Sequence, residues 1–145
     1  MKVVVAVTAA SGGIYARQLL YQLIDSEQVE RIALIFSSNA EAVLATEGVV
    51  LPESRKIVRY SNDDMFASVA SGSQNWDAMV VVPSSVGTVA RIATGTSQSL
   101  IERAADVMRA YGGRKSSEWI KSPAKSTSSR YLSSDIPDPF WCEYV

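Results

Sequence analysis

KVVVAVTAASGGIYARQLL, residues 2–20, decides the architecture of this chain. Lys2–Val7 places apolar, mostly β-branched residues on both parities, the pattern of a strand buried on both faces. Ile14–Ser26 then takes up helical spacing, with Ala16, Leu19, Leu20, Leu23 and Ile24 on one side. The joint between them, Thr8–Gly13, is built of small residues. It is neither the GxGxxG dinucleotide fingerprint nor a P-loop, because no GK[ST] follows. Two readings of the joint stand side by side. Gly12 and Gly13 let the backbone approach an anion, and a helix starting near Ile14 offers free N–H groups and a partial positive charge. Alternatively, Ser11 simply N-caps the helix.

The alternation continues along the chain. Arg31–Ser37 and Ala78–Val82 read as further buried strands, and Lys56–Tyr60 as a short one. Helices are predicted over Asn39–Glu47, over Asp63–Ala70 with Asn62 as N-cap, from the Pro83–Thr88 segment through Ala93, and over Ser97–Met108. Strands and helices in this order predict an α/β fold, a three-layer Rossmann- or flavodoxin-like parallel sheet with helices on both faces. Such sheets bind ligands at the carboxyl ends of their strands, near a switch in strand order. Thr8–Gly13, Ser37–Asn39 and Ser84–Thr88 fall there, all rich in hydroxyls and small residues. Residues 1–111 therefore read as the domain. Residues 112–145 are Ser- and Pro-rich, hold no sustained period, and read as a tail in which Trp119, Phe140 and Trp141 are the residues able to dock.

Composition narrows the chemistry. The 145 residues suit a single domain with a core of its own, and the net charge of −1 gives no electrostatic case for nucleic acid or an anionic membrane. No apolar run reaches the ~18 residues of a membrane span, and the first residues lack the parts of a secretory leader, so a cytoplasmic protein is expected. The sequence contains no histidine, which removes Ser-His-Asp triads, Cys-His pairs and HExxH zinc sites. With Cys142 as the single cysteine, no metal site is expected. What remains is carboxylates, hydroxyls, Lys and Arg, backbone amides or a bound cofactor.

Ser85-Val86-Gly87-Thr88 repeats the first loop's design after a later strand, with two hydroxyls three residues apart at a helix start. Capping and ligand contact both suit it. Glu47 ends a helix, where a carboxylate opposes the dipole, so it is either a solvated glutamate or one with a purpose. Arg103 and Asp106, at i and i+3, suit a surface ion pair. Ala70-Ser71-Gly72-Ser73 reads as a loop without a role of its own.

TAASGGIYARQLL, LIFSSNAEAVLATE, ASGS followed by AMVVVPSSVGT, and LIERAADVM occur together and in order. In this the chain resembles the flavin prenyltransferase family, formerly called aromatic-acid decarboxylases, over roughly Met1–Met108. The resemblance implies an FMN-binding enzyme that transfers a dimethylallyl group from dimethylallyl phosphate to reduced FMN. The product would serve a UbiD-type decarboxylase, and the chains would assemble as trimer-based homo-oligomers up to a dodecamer. It also implies that Ala10, Ser11, Gly12, Ser37, Ser85, Val86, Gly87 and Thr88 hold FMN. Ser11, Glu47 and Arg103 would be the catalytic set: Ser11 near the leaving phosphate, Glu47 handling a proton, Arg103 gripping phosphate through two parallel hydrogen bonds.

Three departures accompany the resemblance. Ala9 replaces a glycine of the first loop, and Ser84 stands where a cysteine is frequent. After RAADV the family's lysine, its buried strand with an Arg-Glu pair, and a later tyrosine and basic residue find no counterpart in Arg109–Val145. A sheet lacking that strand would have an open edge. A non-catalytic FMN-binding or assembly protein, or an enzyme damaged by a change of reading frame, is therefore the competing expectation.

Overall fold

The computed structural model describes residues 1–111 and 140–142. In chain order the elements are β1 (Lys2–Val7), α1 (Gly13–Asp25), β2 (Arg31–Phe36), α2 (Ala40–Thr46), β3 (Ile57–Ser61), β4 (Ala78–Val81), α3 (Val86–Ala93), α4 (Leu100–Tyr111) and β5 (Phe140–Cys142). Two short 3₁₀ turns, Ser68–Ala70 and Gly72–Gln74, precede β4. The strands form one parallel sheet in the order β3-β2-β1-β4-β5.

Strand alternation divides the core in two. Val3, Val5 and Val7 join Ile32 and Leu34 under Ala16, Leu20 and Leu23 of α1 and Leu44 of α2. Val4, Ala6, Ala33, Ile35, Met79 and Val81 meet Ile101, Ala104, Ala105 and Met108 of α4, with Val69 and Trp76. Both faces of β1 are thereby dry, which is why its sequence is apolar on both parities. Each such buried aliphatic side chain contributes about 1.5–3 kcal/mol against exposure.

The chain leaves β1 for β2 and β3 on one side, then returns to β4 on the other. The turn of direction between β1 and β4 is the place where an open α/β sheet leaves a crevice beyond its strand ends. The loops after β1 and β4 meet there.

The expected strands agree with the observed ones to within one residue at each end. The expected helix over Asp63–Ala70 does not form. Asp64 Oδ1 accepts from Phe66 N at 3.1 Å, and Ser61 Oγ from Asp63 N at 3.4 Å. Such short-range side-chain bonds compete with the helical ladder, and Phe66 is fully exposed rather than on a buried stripe. Asn62 is a cap, but of α4: its Oδ1 accepts from Ile101 N at 3.1 Å and its carbonyl from Leu100 N at 2.8 Å. Accordingly α4 begins at Leu100 rather than Ser97.

The sheet does not end at β4: a short strand follows it and is the last in the order. Phe140–Cys142 lies parallel to Met79–Val81, pairing Met79 with Phe140, Val80 with Trp141 and Val81 with Cys142. Two aromatics and a cysteine suit a strand, but three residues are too few to show a period in sequence. The expected docking of Trp119 lies outside the described residues. Among those described, no helix is long and apolar enough to cross a membrane.

Candidate functional site

Thr8 directly follows β1, is 2% exposed, and holds the crevice together. Its Oγ1 donates to the Pro83 carbonyl at 2.9 Å and accepts from Ser85 N at 2.7 Å, while its own N–H reaches the same carbonyl at 3.1 Å. The loops after β1 and β4 are thus pinned to each other through one buried hydroxyl.

The first loop differs from expectation in an informative way. Ser11 does not cap α1; Gly12 occupies that position, with φ 103°, a conformation that favours glycine. The N–H groups of Gly12 and Gly13 are not open either. They donate to Glu47 Oε1 at 2.9 Å and Oε2 at 2.8 Å. Glu47 ends α2 against its dipole because it serves the positive end of α1. Gly13 is required for this approach: a Cβ there would stand 2.3 Å from Leu44 Cδ2 and 2.9 Å from Glu47 Oε2. Ser11 is left exposed and makes no hydrogen bond among the described residues. With Asn39, Ala42, Val43, Thr46 and Glu47 it lines an open depression of about 270 Å³. Glu47→Gln loses one of the two acceptors and the charge facing α1. It is expected to lower stability by about 1–2 kcal/mol, read as a shift of the urea midpoint at constant m-value.

Ser37 follows β2. Its N–H continues the sheet to the Val7 carbonyl at 2.9 Å, but its Oγ is buried without a hydrogen-bond partner among the described residues. A buried hydroxyl normally has a partner, and an unmet one is costly. At the third loop Ser85 caps α3: its Oγ accepts from Thr88 N at 3.3 Å and lies 3.0 Å from Thr88 Oγ1. Val86, 62% exposed, sits on the same first turn beside Gly87, presenting an apolar surface next to polar groups.

Arg103 stands elsewhere. Its Nε donates to the Ala70 carbonyl at 3.3 Å, and no ion pair with Asp106 forms; among the described residues Arg91–Glu102 is the ion pair found. Arg103 lines a second open depression, of about 480 Å³, with Ala70, Ser71, Gly72, Ser73 and Val107. None of these residues lines the first depression. The structure therefore brings Ser11 and Glu47 together and sets Arg103 with the Ala70–Ser73 segment.

Sequence reasoning missed Thr8, Arg91 and Glu102. A threonine closing an otherwise apolar strand was a signal for the first. Ser99-Leu100-Ile101-Glu102 was one for the last, being the S-x-x-E pattern of a capping box. Arg91 had none, since its partner lies on another helix.

A doubly wound parallel sheet with hydroxyl-lined loops at its switch point defines a nucleotide- or cofactor-binding α/β protein. The chain belongs to the Flavoprotein family, whose model matches residues 1–124. It is 43% identical over 110 residues to the flavin prenyltransferase UbiX of Methanocaldococcus jannaschii, an alignment covering 74% of this chain and 58% of that protein. It is also similar to AnUbiX (PadA1), solved in complex with FMN and dimethylallyl pyrophosphate, with TM-score 0.65 and 34% identity over 76% of this chain and 59% of that one. A dodecameric FMN-dependent Ubix-like decarboxylase from Escherichia coli O157:H7 superposes with TM-score 0.68 and 31% identity over 77% of this chain and 62% of that one. The chain thus spans about three fifths of the length of these relatives.

Proposed function

We propose that this chain binds FMN at the carboxyl ends of β1, β2 and β4 and acts as a flavin prenyltransferase. It would transfer a dimethylallyl group from dimethylallyl phosphate to the reduced cofactor. The observation that carries the cofactor half of this reading is the Ser37 hydroxyl, buried and without a partner among the described residues, at the end of β2 beside the end of β1. The residues present fit FMN. Ala10, Ser11 and Gly12 border the crevice from β1, Ser37 supplies an unmet hydroxyl, and Ser85 and Thr88 supply a hydroxyl pair next to the apolar Val86 and the open Gly87. When bound, reduced FMN supplies the nucleophile.

The chain's own residues have separate tasks in this reading. Ser11 offers a free hydroxyl to the departing phosphate, and Glu47, in the same depression, stands ready to hold or pass a proton. Arg103 offers a guanidinium to phosphate oxygens from the second depression, where electrostatic stabilisation of the leaving group is the catalytic contribution. Since the two depressions are separate, we assign Arg103 to a site completed by a second copy of the chain, in a trimer-based homo-oligomer of up to twelve. The product is proposed to serve a UbiD-type decarboxylase in the cytoplasm.

The test is a flavin spectrum and FMN titration of purified protein, then dimethylallyl phosphate turnover under reducing conditions. Bound FMN with turnover is the expected result. Bound FMN without turnover supports a non-catalytic FMN-binding or assembly protein instead, and absence of FMN binding rejects both.

Ser37→Ala separates a ligand contact from a structural one. Without ligand the lone hydroxyl is a burden, so its removal is expected to leave stability unchanged or raise it by up to about 1 kcal/mol. FMN affinity is expected to fall by roughly two- to tenfold, one neutral hydrogen bond. Thermal unfolding of the unliganded protein and FMN titration read the two effects.

A further inference from the structure

Arg91 lies in the last turn of α3, yet its guanidinium belongs to the first. Helical side chains lean toward the N-terminus, over residues i−3 and i−4. Here that brings Nη2 to 3.4 Å from Thr88 Oγ1 and Nη1 to 3.2 Å from where a Cβ on Gly87 would be. A cation over the positive end of a helix is unfavourable by itself. Glu102 offsets it: this carboxylate, 3% exposed, pairs through Oε1 with Arg91 Nε. Glu102 is itself fixed, because its Oε2 accepts from Gln98 N at 2.8 Å and Ser99 N at 3.1 Å. Arg91 therefore has one arm anchored on α4 and the other on the third loop.

The consequence concerns which way the hydroxyl pair donates. Thr88 Oγ1 accepts from a charged donor, and this polarises its own O–H into a better donor. Thr88 is buried, and among the described residues the partner of its Oγ1 able to accept is Ser85 Oγ at 3.0 Å. Ser85 Oγ already accepts from Thr88 N. With both lone pairs of Ser85 engaged by Thr88, the Ser85 proton is left to point outward.

We propose that Arg91, held by Glu102, is a positioning residue of the flavin site. It orders the Thr88 and Ser85 hydroxyls so that Ser85 presents a hydrogen-bond donor to an acceptor atom of the bound cofactor. The inference rests on the reading that the third loop holds FMN. The acceptor is either a phosphate oxygen or a heteroatom of the ring system, and riboflavin, which lacks the phosphate, distinguishes them.

The experiment measures FMN and riboflavin affinity, the visible spectrum of bound flavin and the melting temperature of unliganded protein. It does so for wild type, Arg91→Ala and Arg91→Lys, each alone and combined with Thr88→Val. Arg91→Lys keeps a cation for Glu102 but lacks the second arm, which makes it the variant safest to fold. Both Arg91 variants are expected to weaken FMN binding by roughly three- to tenfold and to shift the bound-flavin bands. In the Thr88→Val background the same changes are expected to have no further effect on affinity, because the hydroxyl they act through is gone. Loss of riboflavin affinity in parallel places the acceptor on the ring system; loss with FMN alone places it on the phosphate. Wild-type affinity and spectrum in Arg91→Lys, or equal losses with and without Thr88→Val, overturn the proposal while leaving the FMN site standing. A wild-type chain that binds no FMN overturns the flavin reading and this inference with it.

Discussion

Thr8→Val is expected to lower stability by about 2–4 kcal/mol while keeping the shape of the side chain. The hydroxyl makes two hydrogen bonds. It donates to the Pro83 carbonyl and accepts from Ser85 N, in a position 2% exposed. Valine removes both bonds, and the one to the Pro83 carbonyl is worth about 0.5–1.5 kcal/mol. The Pro83 carbonyl keeps a partner in Thr8 N, but Ser85 N is orphaned, which adds about 1–3 kcal/mol if water cannot reach it. Thr8→Ser, which keeps the hydroxyl and loses one methyl, is expected to cost about 1 kcal/mol. Urea unfolding should therefore rank wild type above Thr8→Ser and Thr8→Ser above Thr8→Val. FMN affinity should follow that rank, since the pinned loops are the ones proposed to hold the cofactor. A Thr8→Val protein as stable as wild type would show that the two loops are held by something else.

The buried strands were legible because their sequence period is a direct image of burial. Lys2–Val7, Arg31–Phe36 and Ala78–Val81 are covered on both faces through their middles, so apolar residues run on both parities between Lys2 or Arg31 at the open ends and the loops that follow. The helix at Asp63–Ala70 was misread because its residues suit a helix only when local hydrogen bonds to Asp64 and Ser61 are ignored. β5 was missed because pairing with a distant strand leaves no local trace in three residues.

The crevice was legible for a different reason: ligands of open α/β sheets collect at strand ends, and the hydroxyl-rich loops had to lie there. What each loop group does was not legible. Gly12 and Gly13 look in sequence like open anion donors, and only tertiary structure shows that Glu47, thirty-odd residues on, already takes their N–H groups. The separation of Arg103 from Ser11 and Glu47 was likewise hidden. Sequence order says that α4 follows α3, not which depression its arginine lines.

Glu102→Ala is expected to be comparably damaging, at about 2–4 kcal/mol, and for a reason that lies in the start of α4 rather than in ion pairing alone. Glu102 is the third residue of the helix and reaches back to Ser99 N and Gln98 N, while Asn62 takes the N–H groups of Leu100 and Ile101. Four successive donors at one helix start are thus met by two side chains and one carbonyl. Alanine leaves two of them, Gln98 N and Ser99 N, without their acceptor, at about 0.5–2 kcal/mol for lost capping. The Arg91 partner is lost as well, but its side chain is 45% exposed and returns to water, so the pair's share is well below the ~3–5 kcal/mol of a fully buried one. Glu102→Gln keeps one carbonyl acceptor for the helix start and is expected to recover about half the loss. For a domain of this size the alanine variant should melt roughly 6–15 °C below wild type. Because α4 supplies Ile101, Ala104, Ala105 and Met108 to one of the two core layers, its fraying should appear as early hydrogen exchange at Gln98–Ile101 before global unfolding. If Glu102→Ala and Glu102→Gln lose the same stability, the charge pair outweighs the cap and the assignment to helix capping is wrong.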